Sequence, residues 1–249
     1  MDHALFLAMS GAKQSMQAIQ LRANNLANVN TTGFRSDLAQ ARSMQVYGVG
    51  FPSRVFSMVE RPGQNFSQGN VITTGRDLDM IIQGDGWISV LDQTGNEGLT
   101  RNGSFSINKN GLLTNSFGHL VLGDTNTPIT LPIPLSKVEI GSDGTVSVVP
   151  QGAPADAIEI VNRIKLTSSN QPLFKGSNGL FHLKGQDAVY ETDTNIRLLT
   201  GAVEGSNVNS VTEMTNLIDL QRQFEVQIKM MSTIEDMDKA SASLISSTN

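Results

Sequence analysis

The sequence predicts an α+β chain: long N- and C-terminal helices pair as a coiled coil, with a central all-β domain inserted between them. Three observations predict it. A heptad-spaced apolar seam opens the chain, a second long amphipathic stretch closes it, and the region between is rich in glycine, β-formers and hairpin turns.

In the first element, Leu5, Met9, Ala12, Met16, Ile19, Ala23 and Leu26 recur at alternating steps of four and three residues, an a/d seam. Between Leu5 and Leu26 the only charged residues are Lys13 and Arg22. An exposed helix normally fills its outer face with Glu and Lys. This one carries Gln, Ser, Asn and Ala, so either its outer face is also buried or it is not stable alone. It runs into NNLANVNTTGFR, from Asn24 to Arg35. There Leu26 is expected to close the seam, Asn28 or Asn30 to end the helix, and Gly33 to supply a backbone conformation other residues resist.

Residues 36–75 have weak periodicity and are expected as an extended connector. Residues 76–200 carry the hairpin signals Gly95-Asn96, Asn110-Gly111, Asp143-Gly144 and Asn178-Gly179, flanked by alternating runs such as GWISVL, KVEIG and TVSVV. They are expected as the β domain, with the lone Trp87 in its core. Residues 201–249 are expected to hold the second core helix and to pair with residues 1–35. Its stripe takes in Val211, Met214, Leu217, Phe224, Ile228, Met231, Ile234 and Leu244. Ser210-Val211-Thr212-Glu213 is a capping box that starts the helix at Ser210, with Glu213 as an intra-chain cap. Such a helix is roughly 50 Å long.

Composition narrows the function. At 249 residues the chain has length for a substantial core. Its charged content of 16% is low, so much of the surface must be uncharged and polar. A net charge of -5 without a Lys/Arg cluster argues against nucleic acid as a partner. The absence of cysteine excludes disulfides, thiol nucleophiles and Cys-ligated metal. The opening MDHALFLAMSGAKQ has no basic n-region and too short an apolar run for a secretion signal or a membrane span, so if the protein leaves the cytoplasm the expected route needs no cleaved signal peptide.

No catalytic, cofactor-binding or metal-binding residue is expected. Ser10 and Lys13 have the S-x-x-K spacing of serine acylating enzymes, but no K-T-G accompanies it. Gly84-Asp85-Gly86 lacks the third glycine of a dinucleotide loop and reads as a β-turn. Asp77 and Asp79 read as turn or surface carboxylates. His3, His119 and His182 share no ligand spacing. Two other readings stay open: a secreted enzyme or carbohydrate-binding module built on the β domain, and a coiled-coil adaptor forming a small closed oligomer.

NNLANVNTTGFR resembles the motif of the bacterial flagellar rod and hook proteins, in which a heptad helix runs into A-N-N-L-A-N-x-x-T-x-G-F-[KR]. The segment GAVEGSNVNSVTEMTNLIDLQRQFE resembles the matching C-terminal block, L-E-x-S-N-V-N-x-x-x-E-M. TGRDLDMIIQGDGWISV, LTRNGSFSINKNGLLTN and GHLVLG resemble the central β blocks, so the likeness covers most of the chain in order. Gly86-Trp87-Ile88 stands where the family has GFF, and Glu204-Gly205-Ser206 where it has EAS. The second departure, the opening MDHALFLAM, and the short span from Phe34 to Gln68-Gly69-Asn70 resemble the proximal rod members more than the distal ones.

The resemblance implies a structural subunit that leaves the cytoplasm through the flagellar type III export apparatus and enters the periplasmic rod. Its implied partners are copies of itself and neighbouring rod proteins, with no nucleic acid or small-molecule substrate. The paired helices are expected to form an inner tube, their ends staying unfolded until assembly. Implied assembly residues are Leu5, Met9, Met16, Ile19, Asn24, Asn25, Leu26, Asn28, Gly33, Phe34 and Arg35 at one end. At the other they are Glu204, Ser206, Asn207, Val208, Asn209, Glu213, Met214, Phe224 and Ile228. Phe34 is expected to anchor the chain as it turns outward, Arg35 to pair with a neighbouring subunit, and Asn207 and Asn209 to set the entry to the second helix.

Overall fold

A computed structural model describes residues 2–45, 55–152, 154, 157–168, 171–184 and 190–247. The chain is α+β and divides into two units, each treated by itself. Unit 1 comprises Met1–Val29, Ser36–Phe66 and Val208–Asn249. Unit 2 comprises Asn30–Arg35 and Ser67–Asn207.

Unit 1 holds α1 (Asp2–Ala27), β1 (Asp37–Gln45), β2 (Val55–Gln64) and α2 (Ser210–Ser247). Gly11 abuts Gln227 and Arg22 reaches Glu213, so α1 and α2 lie antiparallel and in contact. The buried line of α1 is Ala8, Ala12 and Ser15, continued by half-buried Ile19 and Arg22 to buried Asn25. Of the expected seam, Ala12 and Ile19 fall on this line, and its larger residues Leu5, Met9 and Met16 do not. Met9 is 52% exposed and Met16 54%, and Leu5 and Ala23 are exposed too. The reason is steric: small side chains let a second helix approach closely, and leucine- or methionine-sized ones at the contact would hold it away.

On α2 the protected line is Glu213, Leu217, Leu220, Phe224, Gln227, Met231, Ile234, Asp238 and Ser241, again in steps of four and three. Leu217, Phe224, Met231 and Ile234 of the expected stripe fall on it. Val211, Met214 and Ile228 are exposed instead, and Leu244 lies outside the described side chains.

Where an extended connector was expected, β1 and β2 form an antiparallel pair running from Asp37↔Gln64 to Gln45↔Val55. A hairpin satisfies backbone groups that a lone extended segment leaves to water. Residues 46–54 of that segment lie outside the described residues.

Unit 2 begins its strands with β3 (Val71–Thr73), β4 (Met80–Gln83), β5 (Trp87–Leu91), β6 (Glu97–Thr100), β7 (Phe105–Ile107) and β8 (Leu113–Asn115). Then follow β9 (Leu120–Val121), β10 (Leu135–Ile140), β11 (Thr145–Pro150), β12 (Glu159–Arg163) and β13 (Leu166–Thr167). The last are β14 (Leu173–Lys175), β15 (Phe181–Leu183), β16 (Arg197–Thr200) and β17 (Ala202–Glu204). The largest sheet has the order β14-β15-β6-β5-β9-β8-β7, with β13 also on β5. A three-stranded sheet β10-β11-β12 and the pairs β16-β4 and β17-β3 complete the unit. β3 and β17 lie just outside residues 76–200, so the β structure extends past both expected limits.

One loop closure recurs. At 92–96, 108–112, 115–119, 141–145 and 176–180, the first residue's N–H donates to the fifth residue's carbonyl, and its own carbonyl accepts from the glycine in fourth place. Those glycines, from Gly95 to Gly179, have φ between 78° and 88°, the left-handed region such three-residue hairpin turns require. At 123–127 the same closure puts Asn126 (φ 58°) in the fourth place. Asp92, Asn108 and Asn115 reinforce it by accepting two further backbone N–H groups each at their Oδ1. All four expected hairpin signals fall in these loops. The turns hold together a core that includes Met80, Ile88, Val90, Phe105, Leu113 and Val121. Trp87 packs in a smaller cluster with Leu99 and Phe181, its ring 4.7 Å from that of Phe181.

Replacing Ala12 by leucine is expected to overpack the α1–α2 contact and cost about 1–3 kcal/mol, whereas Met16→Leu changes stability by less than about 0.5 kcal/mol. Urea unfolding of the full chain followed by helical circular dichroism distinguishes this ordering from the reverse.

Candidate functional site: an assembly junction

The residues singled out near the two helix ends fall into two groups. In unit 2, residues 30–35 meet Ser67–Asn70 and Glu204–Asn207 around one carboxylate. Glu204 Oε1 lies 2.6 Å from Arg35 Nη1 and accepts the Gly69 N–H at 2.9 Å. Its Oε2 takes Arg101 Nη1 at 3.3 Å, and its main-chain carbonyl accepts the Gly33 N–H at 2.7 Å. Arg35 is 1% exposed and Glu204 2%. The expectation that Arg35 pairs with a neighbouring subunit is therefore corrected. A guanidinium this buried needs its counter-charge within the fold, and Glu204 supplies it.

The arginines hold further backbone. Arg35 Nη1 donates to Ser67 O, and Arg101 Nη2 to Gly84 O at 2.8 Å, with the Arg101 guanidinium 5.4 Å from the centre of the Trp87 ring. Burial pushes Arg101 below its ordinary value, the like charge of Arg35 adds to that, and Glu204 and Asp85 oppose it. Two guanidiniums thus share one carboxylate out of water. Gly33 admits the close approach of the Arg101 main chain: at φ +69°, a Cβ built there would lie 2.3 Å from the Arg101 carbonyl carbon.

Around this centre, Thr32 Oγ1 donates to Asn102 Oδ1 at 3.0 Å. The half-buried Phe34 lies under Lys175 Nζ, 3.9 Å from its ring centre, and the same ammonium donates to Arg35 O at 3.2 Å. Asn207 N–H donates to Phe34 O and Asn207 Nδ2 to Ser67 O. Ser206 and Val208 are half-buried.

In unit 1, the fully buried Asn25 amide mimics a peptide group. Its Nδ2 donates to Asp37 O and its Oδ1 accepts Asp37 N–H, both at 2.9 Å. Asn28 turns back on α1, its N–H and Nδ2 both donating to the exposed Asn24's carbonyl. Leu26 is half-buried. Asn209 caps α2: its Oδ1 accepts Thr212 N–H at 3.1 Å and its carbonyl accepts Glu213 N–H. The expected capping role of Glu213 is corrected, since its carboxylate instead accepts from Arg22 Nη1 of α1 at 3.0 and 3.3 Å. Arg101, Lys175 and Asn102 escaped the sequence reading; the charges in LTRNG and LFKG are the only signal they leave.

Glu204→Ala leaves two guanidiniums buried without an anion and is expected to cost about 3–5 kcal/mol. Gly33→Ala is expected to lose about 1–2 kcal/mol from its φ alone, before the clash. Urea unfolding read by Trp87 fluorescence measures both, and unchanged midpoints would contradict the geometry.

Comparison with known proteins identifies the family. Residues 5–35 match a family model described as flagella basal body rod protein, 81–148 one described as flagellar hook protein FlgE/F/G D1 domain, and 199–244 one described as flagellar basal body rod FlgEFG protein C-terminal. The chain is 37% identical to the flagellar basal-body rod protein FlgF of Escherichia coli K12, over 95% of each chain. It is 36% identical to FlgF of Salmonella typhimurium LT2 over 99% of each, and 32% identical to FlgF of Caulobacter vibrioides CB 15 over the full length of both. The two blocks of the junction lie in the first and last matched segments, and the chain belongs to the flagellar basal-body rod protein family, among its FlgF-like members.

Proposed function

We propose that this chain is a structural subunit of the proximal rod of the bacterial flagellar basal body, assembling helically through its terminal helices into the torque-transmitting shaft. The observation that carries the reading, beside family membership, is the apolar surface left open on the helix pair. Leu5, Phe6, Leu7, Met9 and Met16 of α1, and Val211, Met214, Ile218, Val226, Ile228, Met230 and Met237 of α2, are all exposed. So many large apolar side chains on one antiparallel pair mark a surface for partners. A surface that meets a different surface of the next subunit without closing builds a helical polymer.

In this reading α1 and α2 form a coiled coil whose seam is the small-residue line of α1 against the heptad line of α2. The neighbours are copies of this chain and adjoining rod proteins. The subunit reaches the periplasm through the flagellar type III export apparatus. The short span between Phe34 and Gln68 favours the proximal over the distal rod.

The test is complementation in a strain lacking the native protein. Deletion of residues 1–35 or 205–249 is expected to abolish swimming and rod completion. Normal swimming by both deletions would sink the assignment. A finer arm is the pair Met9→Glu and Met16→Glu, which leaves the isolated chain's stability within about 0.5 kcal/mol while blocking incorporation into the rod.

A further inference from the structure

We propose that a cleft at one end of the eight-stranded sheet binds an uncharged oligosaccharide, with Phe174 as its stacking platform. The cleft, of about 810 Å³, is lined by Asp92, Asn96, Phe174, Asn178, His182 and Tyr190 among others. That volume lies in the range of ligand sites rather than of packing voids.

Its walls are fixed by the sheet. The loops 92–96 and 176–180 meet where Asn178 Nδ2 donates to Asp92 Oδ2 at 3.2 Å. Each loop is closed by its own glycine turn. Phe174 and His182 are direct cross-strand partners with ring centres 5.6 Å apart. Phe174 is nonetheless 47% exposed, a large ring held in place with a face toward water. Tyr190 lines the cleft too, packed against the Trp87 cluster, and burial raises its pKa further, which keeps it protonated.

The chemistry of the lining selects the ligand class. Thr94, Asn96, Ser177 and Asn178 carry exposed hydroxyls and amides, partly engaged with one another and with Asp92, of the kind that suits a polyhydroxy ligand whose C–H face lies on an aromatic ring. Among the described residues no cation lines the cleft, and Lys165 beside Tyr190 is already paired with Glu97 at 2.8 Å. Hydrogen bonds from Thr94 and Asn96 hold the Asp92 carboxyl at about 2, so it is ionised and repels anions such as phosphate. Its oxygens already accept from Thr94, Asn96 and Asn178, which leaves little for a cationic ligand.

The experiment titrates the isolated full-length chain by amide NMR with a β-1,4-linked N-acetylglucosamine trimer and, separately, cellotriose. Trilysine and inorganic phosphate serve as the charged probes. At least one sugar is expected to shift the Ser177, Asn178 and His182 amides saturably, and neither charged probe to do so. Phe174→Leu keeps an apolar side chain but removes the ring, and is expected to weaken binding roughly tenfold with an unchanged melting temperature. Absence of a saturable shift with either sugar, equal binding by Phe174→Leu, or a response to trilysine or phosphate alone would overturn the proposal. None of these readouts requires rod assembly, so the outcome is separate from that of the complementation test.

Discussion

Everything near the assembly junction depends on how one carboxylate is shared by two arginines away from water. Glu204 binds Arg35 and Arg101 through its side chain, accepts Gly69 N–H at the same carboxylate, and accepts Gly33 N–H at its main-chain oxygen. Buried charges are tolerated only when paired and hydrogen-bonded in good geometry, so these segments cannot shift independently. A buried pair of this kind is weak evidence for high stability, because desolvation offsets much of the attraction. What it supplies is a single arrangement: Arg35 has one anion to reach, and only a chain that turns at Gly33 brings it there.

The β unit reaches its shape by repetition of a small device. The same glycine-closed turn ends one antiparallel pair after another, so register is set locally, loop by loop. The cleft beside Phe174 lies where two such turns meet, joined by the hydrogen bond from Asn178 to Asp92.

The β region and its hairpins were legible because turn chemistry is local: Asn-Gly and Asp-Gly dipeptides report φ directly. The fuller D/N-x-x-G spacing at Asp92, Asn108 and Asn115 was equally present and went unread. The phase of the helix pair was not legible in the same way. Leu5, Met9 and Met16 keep a heptad with Ala12, but Ala8 and Ser15 keep one with Ala12 as well, and hydrophobicity alone prefers the larger side chains. The missed clue was the lack of charge on both faces. When neither face is polar, burial need not follow the bulkiest stripe. Arg35 was misplaced for a related reason, since its partner Glu204 lies far away in sequence and only the fold makes them neighbours. Asn209 rather than Glu213 serves the helix start because Glu213 has Arg22 within reach on α1.

Amide hydrogen exchange tests most directly whether the Glu204 cluster is the fixed point of unit 2. If it is, the Gly33 and Gly69 amides bonded to Glu204 exchange only when the unit opens as a whole, with the same opening free energy as core amides such as Val90. Exchange of Gly33 and Gly69 through a local opening well below that of Val90 would show that these segments move independently of the β unit, and would contradict the account.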